Sequence, residues 1–222
     1  MTAPARLVLL ASGGGRSLEN LAEHIAAGRL PARIVQVISS RAEAGVVARC
    51  RRLGLPCRVI GRASHPDREE RDRALVAAIR EARPDWVVLA GWLLLLPIPP
   101  DLEGRVINIH PALLPGYGGR GFYGHRVHEA VVADRPPASG CTVHFASAEY
   151  DRGPILLAEA VPVLPDDDAD SLAARVFAAE KRALPEAIGH LIAGRARLED
   201  GVVCWTAAGL SPAASPPPRD EG

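Results

Sequence analysis

The sequence predicts an α/β fold of Rossmann-like type: a mostly parallel, doubly wound sheet with a C-terminal strand-helix extension. Three observations predict it. Short, nearly continuous apolar runs end in Gly, Ser or Pro; stretches with a helical apolar period separate them; and the first run opens directly into three glycines. A strand covered on both faces has no polar side to show, so it reads as a run and not as an alternation.

The runs are "RLVLLAS" (6–12), "RIVQVISS" (33–40), "PCRVIG" (56–61), "DWVVLAG" (85–91) and "RVINIH" (105–110). Between the first two, Leu18, Leu21, Ala22 and Ile25 recur at i, i+3, i+4 and i+7, which predicts a helix. "ARCRRLG" reads as a solvated helix end, where Arg side chains complement the dipole. In "DREERDRALVAAIREA" a charged face opposes Leu75, Val76 and Ile79, a second amphipathic helix. After about residue 139 two further strands, "SGCTVHFASA" and "PILLAEAVPV", flank the turn "EYDRGP". A long helix follows in "DADSLAARVFAAEKRALPEAIGHLI", which Pro185 is expected to bend or interrupt. "GVVCWT" reads as a last short strand, and residues 207–222, rich in Pro, Ala and Ser, as a flexible tail.

Composition narrows the function. The 222 residues suit one core, and 26 basic side chains balance 26 acidic ones, so nothing in the bulk charge calls for nucleic acid or a membrane surface. Lys181 is the only lysine, so each Arg is judged by its position. The four cysteines, Cys50, Cys57, Cys141 and Cys204, form no CxxC pair and read as reduced thiols. The N-terminal apolar run is too short for a secretory segment, and "WVVLAGWLLLLPIPP" is broken by Gly91 and Pro97, which predicts a cytoplasmic protein.

Chemistry concentrates in two places. "SGGGRSLENL" sets glycines between a strand and a helix start, where backbone N–H groups and the helix dipole favour an anion. It lacks a clear GxGxxG register and an acidic residue after the second strand, so a dinucleotide is poorly supported and a bare tight turn stays open. In "VINIHPALLPGYGGRG", Asn108 and His110 lie two residues apart at a strand's carboxyl end and so project to one side, where amide and imidazole can hold a carbonyl oxygen that gains charge. Asp151, in the turn "EYDRGPI", carries a carboxylate able to fold back beside His110. The bland alternatives are a turn cap, a buried imidazole and a turn aspartate. His125 and His128, at i, i+3, have no third ligand, and His144 reads as a hydrogen-bonded strand residue. Trp86 and Trp92 read as core and pocket-wall side chains.

These segments, with "PDWVVLAGW", "INIHPALLP", "SGCTVHF", "YDRGPI" and "AARVFAAEKRALP", resemble the 10-formyltetrahydrofolate-using formyltransferases over about residues 6–206, and within them the branch that formylates glycinamide ribonucleotide. The resemblance implies a single formyltransferase domain over 1–206, with a nucleotide-binding half (about 1–105) and a folate and catalytic half (about 106–206). It implies catalysis by Asn108, His110 and Asp151, and no metal. Gly14, Gly15, Arg16 and Ser17 would hold the ribonucleotide phosphate and Glu180 the ribonucleotide. Arg68, Leu93, Leu94, Leu95, Ala148, Glu149 and Tyr150 would form the folate pocket. The partners implied are glycinamide ribonucleotide and 10-formyltetrahydrofolate, with a homodimer as the expected assembly. Arg16 and Ser17 stand where the family commonly has Ser-Asn, Leu94 where it has Arg, and Ala112 where it has Ser. A hydrolase, an amino-sugar formyltransferase and a non-catalytic nucleotide- or folate-binding protein are the competing readings.

Overall fold

A computed structural model describes residues 3–206; the tail expected over 207–222 lies outside them. Seven strands form one sheet in the order β3-β2-β1-β4-β5-β6-β7. Strands β1 (Ala5–Ala11), β2 (Ala32–Ser39), β3 (Cys57–Val59), β4 (Trp86–Ala90) and β5 (Val106–His110) run parallel. The expected "two further strands" are β6 (Ala138–Phe145) and β7 (Ile155–Pro162), an antiparallel pair on one edge.

Alternation along each strand divides the core in two. In β1, Leu7, Leu9 and Ala11 face one layer while Val8 and Leu10 face the other, all of them buried. The first layer is closed by α1 (Arg16–Ala26), α2 (Gly45–Leu53), α4 (His125–Asp134) and α5 (Ala169–Ile192); the second by α3 (Arg68–Ala82) and the segment from Trp92 to Leu102. The chain builds β1, β2 and β3 outward, then returns to lay β4 on the other side of β1. Strand order reverses there, and the crevice beyond the carboxyl ends of β1 and β4 is where such sheets receive ligands.

Two details differ from the sequence expectation. The final strand, β9 (Val202–Trp205), pairs only with β8 (Ala196–Glu199), a strand that "ARLE" did not announce, in a separate hairpin. Pro185 does not interrupt α5, which continues from Ala169 to Ile192. A proline inside a helix removes the N–H that would bond the carbonyl four residues earlier, a defect of about 3 kcal/mol. Here that carbonyl, Lys181 O, accepts instead from Nδ2 of buried Asn20 on α1 at 3.0 Å. The side chain of one helix thus replaces the missing donor of the other.

Candidate active site

The edge holding Asn108 and His110 opens into a cavity of about 600 Å³. Its apolar arm is Trp92 and Leu93 to Leu96, placed by backbone ties to the first strand's end: Ser12 N donates to Gly91 O at 2.9 Å, and Leu93 N donates to Ser12 Oγ at 3.0 Å. The glycine-rich segment from Gly119 to Gly124 also lines it.

Register builds the polar end. Because β5 and β6 are antiparallel, Asn108 pairs with His144 and His110 with Thr142. Thr142 Oγ1 donates to Ala112 O at 2.7 Å and accepts from Leu114 N at 3.1 Å, which fixes the loop leaving His110. His144 Nδ1 donates to Phe145 O at 2.8 Å, so in the neutral ring Nε2 is an acceptor, and Asn108 Nδ2 lies 3.0 Å from it. The other Nδ2 hydrogen of Asn108 goes to Asp151 Oδ1 at 3.2 Å. The amide's orientation follows: an oxygen in that place would face the carboxylate.

Asp151 is the hub. Its Oδ2 accepts from Gly119 N at 2.9 Å and lies 3.5 Å from His110 Nδ1; its Oδ1 lies 3.6 Å from His144 Nε2. Burial works to raise its pKa, but the neighbouring His144 and His110 imidazoles and the Gly119 amide hold it below the usual carboxylate value, so it is ionised at neutral pH. The carboxylate reaches this position from a left-handed backbone, φ 55°, in a turn packed so closely that a Cβ on Gly153 would fall 1.7 Å from Phe145 O.

His110, 4% exposed, is held on its other side: Nε2 donates to Tyr117 O at 2.8 Å. Tyr117 also takes a left-handed backbone, φ 52°. Burial lowers the pKa of His110, with Asp151 and the Tyr117 carbonyl acting against it. A ring so placed donates at both nitrogens only when protonated, the form that burial disfavours; the neutral ring donates at one of them.

The structure brings Asn108, His110, Asp151, Leu93, Leu94, Leu95, Glu149 and Tyr150 into the wall of one cavity. Ala148 is exposed and outside that wall, as is Arg68, which opens α3 with Nε 3.5 Å from Asp72. Arg41, Arg62 and Arg120 line the cavity instead. Gly14, Gly15, Arg16, Ser17 and Glu180 form a second locus beside it. There Gly15 turns the chain at φ 79° into α1, whose N-terminus has no side-chain cap. Arg16 lies over the Phe177 ring at 4.0 Å. Burial raises the Glu180 pKa to about 7 against the opposing charge of Arg16.

Sequence reasoning left His144 out of the site; its signal was its place opposite Asn108, which needs the strand register. Among the described residues no group of three or more His, Cys, Asp or Glu side chains is placed to hold a metal ion. No helix of the described residues is long and apolar enough to cross a membrane.

The formyl transferase family profile matches residues 5–188. Phosphoribosylglycinamide formyltransferase of Mycobacterium tuberculosis is 40% identical over 199 residues, 86% of each chain. The chloroplastic phosphoribosylglycinamide formyltransferase of Vigna unguiculata is 36% identical over 188 residues, covering 84% of this chain, which spans 60% of that relative's length. Glycinamide ribonucleotide transformylase 1 of Symbiobacterium toebii superposes with a TM-score of 0.84 at 36% identity, over 92% of this chain and 95% of that one. With a profile running through both halves of the sheet and a relative 40% identical over most of both chains, the chain belongs to the formyl transferase family.

Proposed function

We propose that the chain transfers the formyl group of 10-formyltetrahydrofolate to the primary amine of glycinamide ribonucleotide, a step of de novo purine biosynthesis. The observation that carries the reading is the set Asn108, His144 and Asp151, joined by hydrogen bonds through Asn108, with His110 3.5 Å from the Asp151 carboxylate, at the polar end of a cavity whose other arm is apolar. Relatives named for this reaction support the choice of acceptor.

The apolar arm, Leu93 to Leu95, with Glu149 and Tyr150 of the same cavity, takes the folate ring system. The ribonucleotide lies along the glycine turn, its phosphate at Gly14, Gly15, Arg16 and Ser17 and its sugar near Glu180. The attacking amine nitrogen bonds to the formyl carbon and the carbonyl electrons move onto oxygen. His110 Nε2–H passes its hydrogen bond from the Tyr117 carbonyl to that oxygen anion, and Asn108 exchanges one of its two N–H bonds for the same purpose. Asp151 keeps His110 oriented and relays the proton that the amine loses to the folate nitrogen as the carbon–nitrogen bond to folate breaks. Holding both substrates in one cleft supplies much of the acceleration. The reading carries with it a cytoplasmic homodimer that binds neither nucleic acid nor membrane.

The test is the absorbance change on deformylation of 10-formyl-5,8-dideazafolate, with and without glycinamide ribonucleotide. Turnover that requires the ribonucleotide is expected; equal turnover in water alone would make the chain a hydrolase and overturn the acceptor.

A further inference from the structure

Three elements converge beside the glycine turn on groups that the catalytic set does not use. From α1 comes Arg16, stacked 4.0 Å from the Phe177 ring centre. From α5 come Phe177 and Glu180, three residues apart and therefore on one helix face. From α4 comes His128, only 6% exposed, with Nδ1 buried and without a hydrogen-bond partner; burial first, then the neighbouring His125 and Arg16, lowers its pKa to about 4 and keeps the ring neutral. A neutral imidazole keeps one N–H, and an incoming anion can accept from it.

The way Arg16 is held matters. An arginine fixed by a carboxylate has its N–H fork occupied and its charge offset; one fixed by an aromatic face is immobilised through the ring while its edge N–H groups stay free. We infer that Phe177 is a positioning residue for the ribonucleotide phosphate: its ring presets the Arg16 guanidinium over the glycine turn, with His128 as the second uncommitted donor. The inference rests on the glycinamide ribonucleotide reading above and assigns the platform on which that substrate's phosphate is gripped. It also accounts for Arg16 at a place where the family commonly has a small side chain: the guanidinium is directed by a partner 161 residues away in sequence and is not loose at the helix start.

The experiment measures steady-state constants for glycinamide ribonucleotide, and calorimetric binding of ribose 5-phosphate, for the full chain and for Arg16→Ala, Phe177→Ala, Phe177→Leu, Phe177→Tyr and the Arg16→Ala/Phe177→Ala pair. Phe177→Ala is expected to raise KM for the ribonucleotide about fivefold, the equivalent of one exposed to partly buried cation–π contact, with kcat and the folate KM within about twofold. Phe177→Tyr restores the wild-type KM, whereas Phe177→Leu, which keeps apolar bulk without a π face, does not. The double variant is no worse than Arg16→Ala alone. Additive losses, or rescue by Leu, would overturn the platform. If the chain turns over glycinamide ribonucleotide and Phe177→Ala leaves its KM unchanged, the platform fails and the acceptor reading stands. If there is no turnover but ribose 5-phosphate binding weakens in the same coupled pattern, the platform stands and the acceptor reading fails.

Discussion

The proposed catalytic cluster and the glycine turn lie side by side on one sheet edge and are built on opposite terms. Around Asp151 the polar groups are engaged: Asn108 gives both amide hydrogens, His144 is bonded at both ring nitrogens, and His110 lies between the Tyr117 carbonyl and a carboxylate. At the turn they are left open: the helix start lacks a side-chain cap, His128 Nδ1 has no partner, and the half-buried Glu180 carboxyl has its pKa raised to about 7. A group that acts on a transition state gains from being fixed beforehand, whereas a group that grips a phosphate must keep its donors uncommitted until the phosphate arrives.

The strongest way to break this comparison is at the reacting end. His110→Ala or Asn108→Ala is expected to lower kcat at least about a hundredfold, the scale of one lost oxyanion donor, with the folded state intact by circular dichroism. Near wild-type turnover in either variant would remove that residue from the chemistry. Gly153→Ala follows: the added Cβ cannot coexist with Phe145 O, so the turn carrying Asp151 must shift, at about 2–3 kcal/mol of stability. A denaturant titration measures the loss, and an unchanged midpoint would show that the turn yields freely. His144→Phe keeps ring volume but takes away the acceptor for Asn108, and turnover is expected to fall about tenfold, the scale of one hydrogen bond to a positioned group. Unaltered turnover would mean that Asp151 alone orients the amide.

The smallest effect sharpens the other side. The Glu180 carboxyl has a folded-state pKa of about 7, above the ordinary carboxylate value of 4.5. A carboxyl shifted upward adds nothing to the pH dependence of stability below its unfolded pKa. As pH rises from there to the folded value it increasingly destabilises the fold. Glu180→Gln is therefore expected to match wild type at pH 4 and to be more stable at pH 8, by on the order of 1 kcal/mol after allowing for its partial exposure. Melting temperatures that run parallel across that range would show that the carboxylate is accommodated without strain.

Much of this was readable from the chain because the signals were local. Buried parallel strands announce themselves as apolar runs, the glycine turn as a break in them, and Asn108 and His110 share a side by the two-residue period alone. What stayed hidden depended on partners distant in sequence. His144 joins the site through β5–β6 register, Phe177 meets Arg16 across two helices, and "ARLE" becomes a strand only by pairing with β9. Arg68, carried over by resemblance, begins α3 outside the cavity wall, while Arg62, six residues earlier, reaches it from the preceding connection. That Pro185 leaves α5 uninterrupted was hidden for the same reason: its local penalty was legible and its remedy on another helix was not.

That remedy ties two elements into one heritable unit. Since Asn20 completes the ladder that Pro185 breaks, α1 and α5 cannot drift independently. A swap at position 20 to a residue without a donor exposes the defect at 185, and a swap of the proline makes Asn20 share the Lys181 carbonyl with a restored backbone N–H. Chimeras that take residues 1–30 from one relative and the long helix from another should therefore fail at this seam unless both positions travel together, whatever their agreement at the residues that touch substrate.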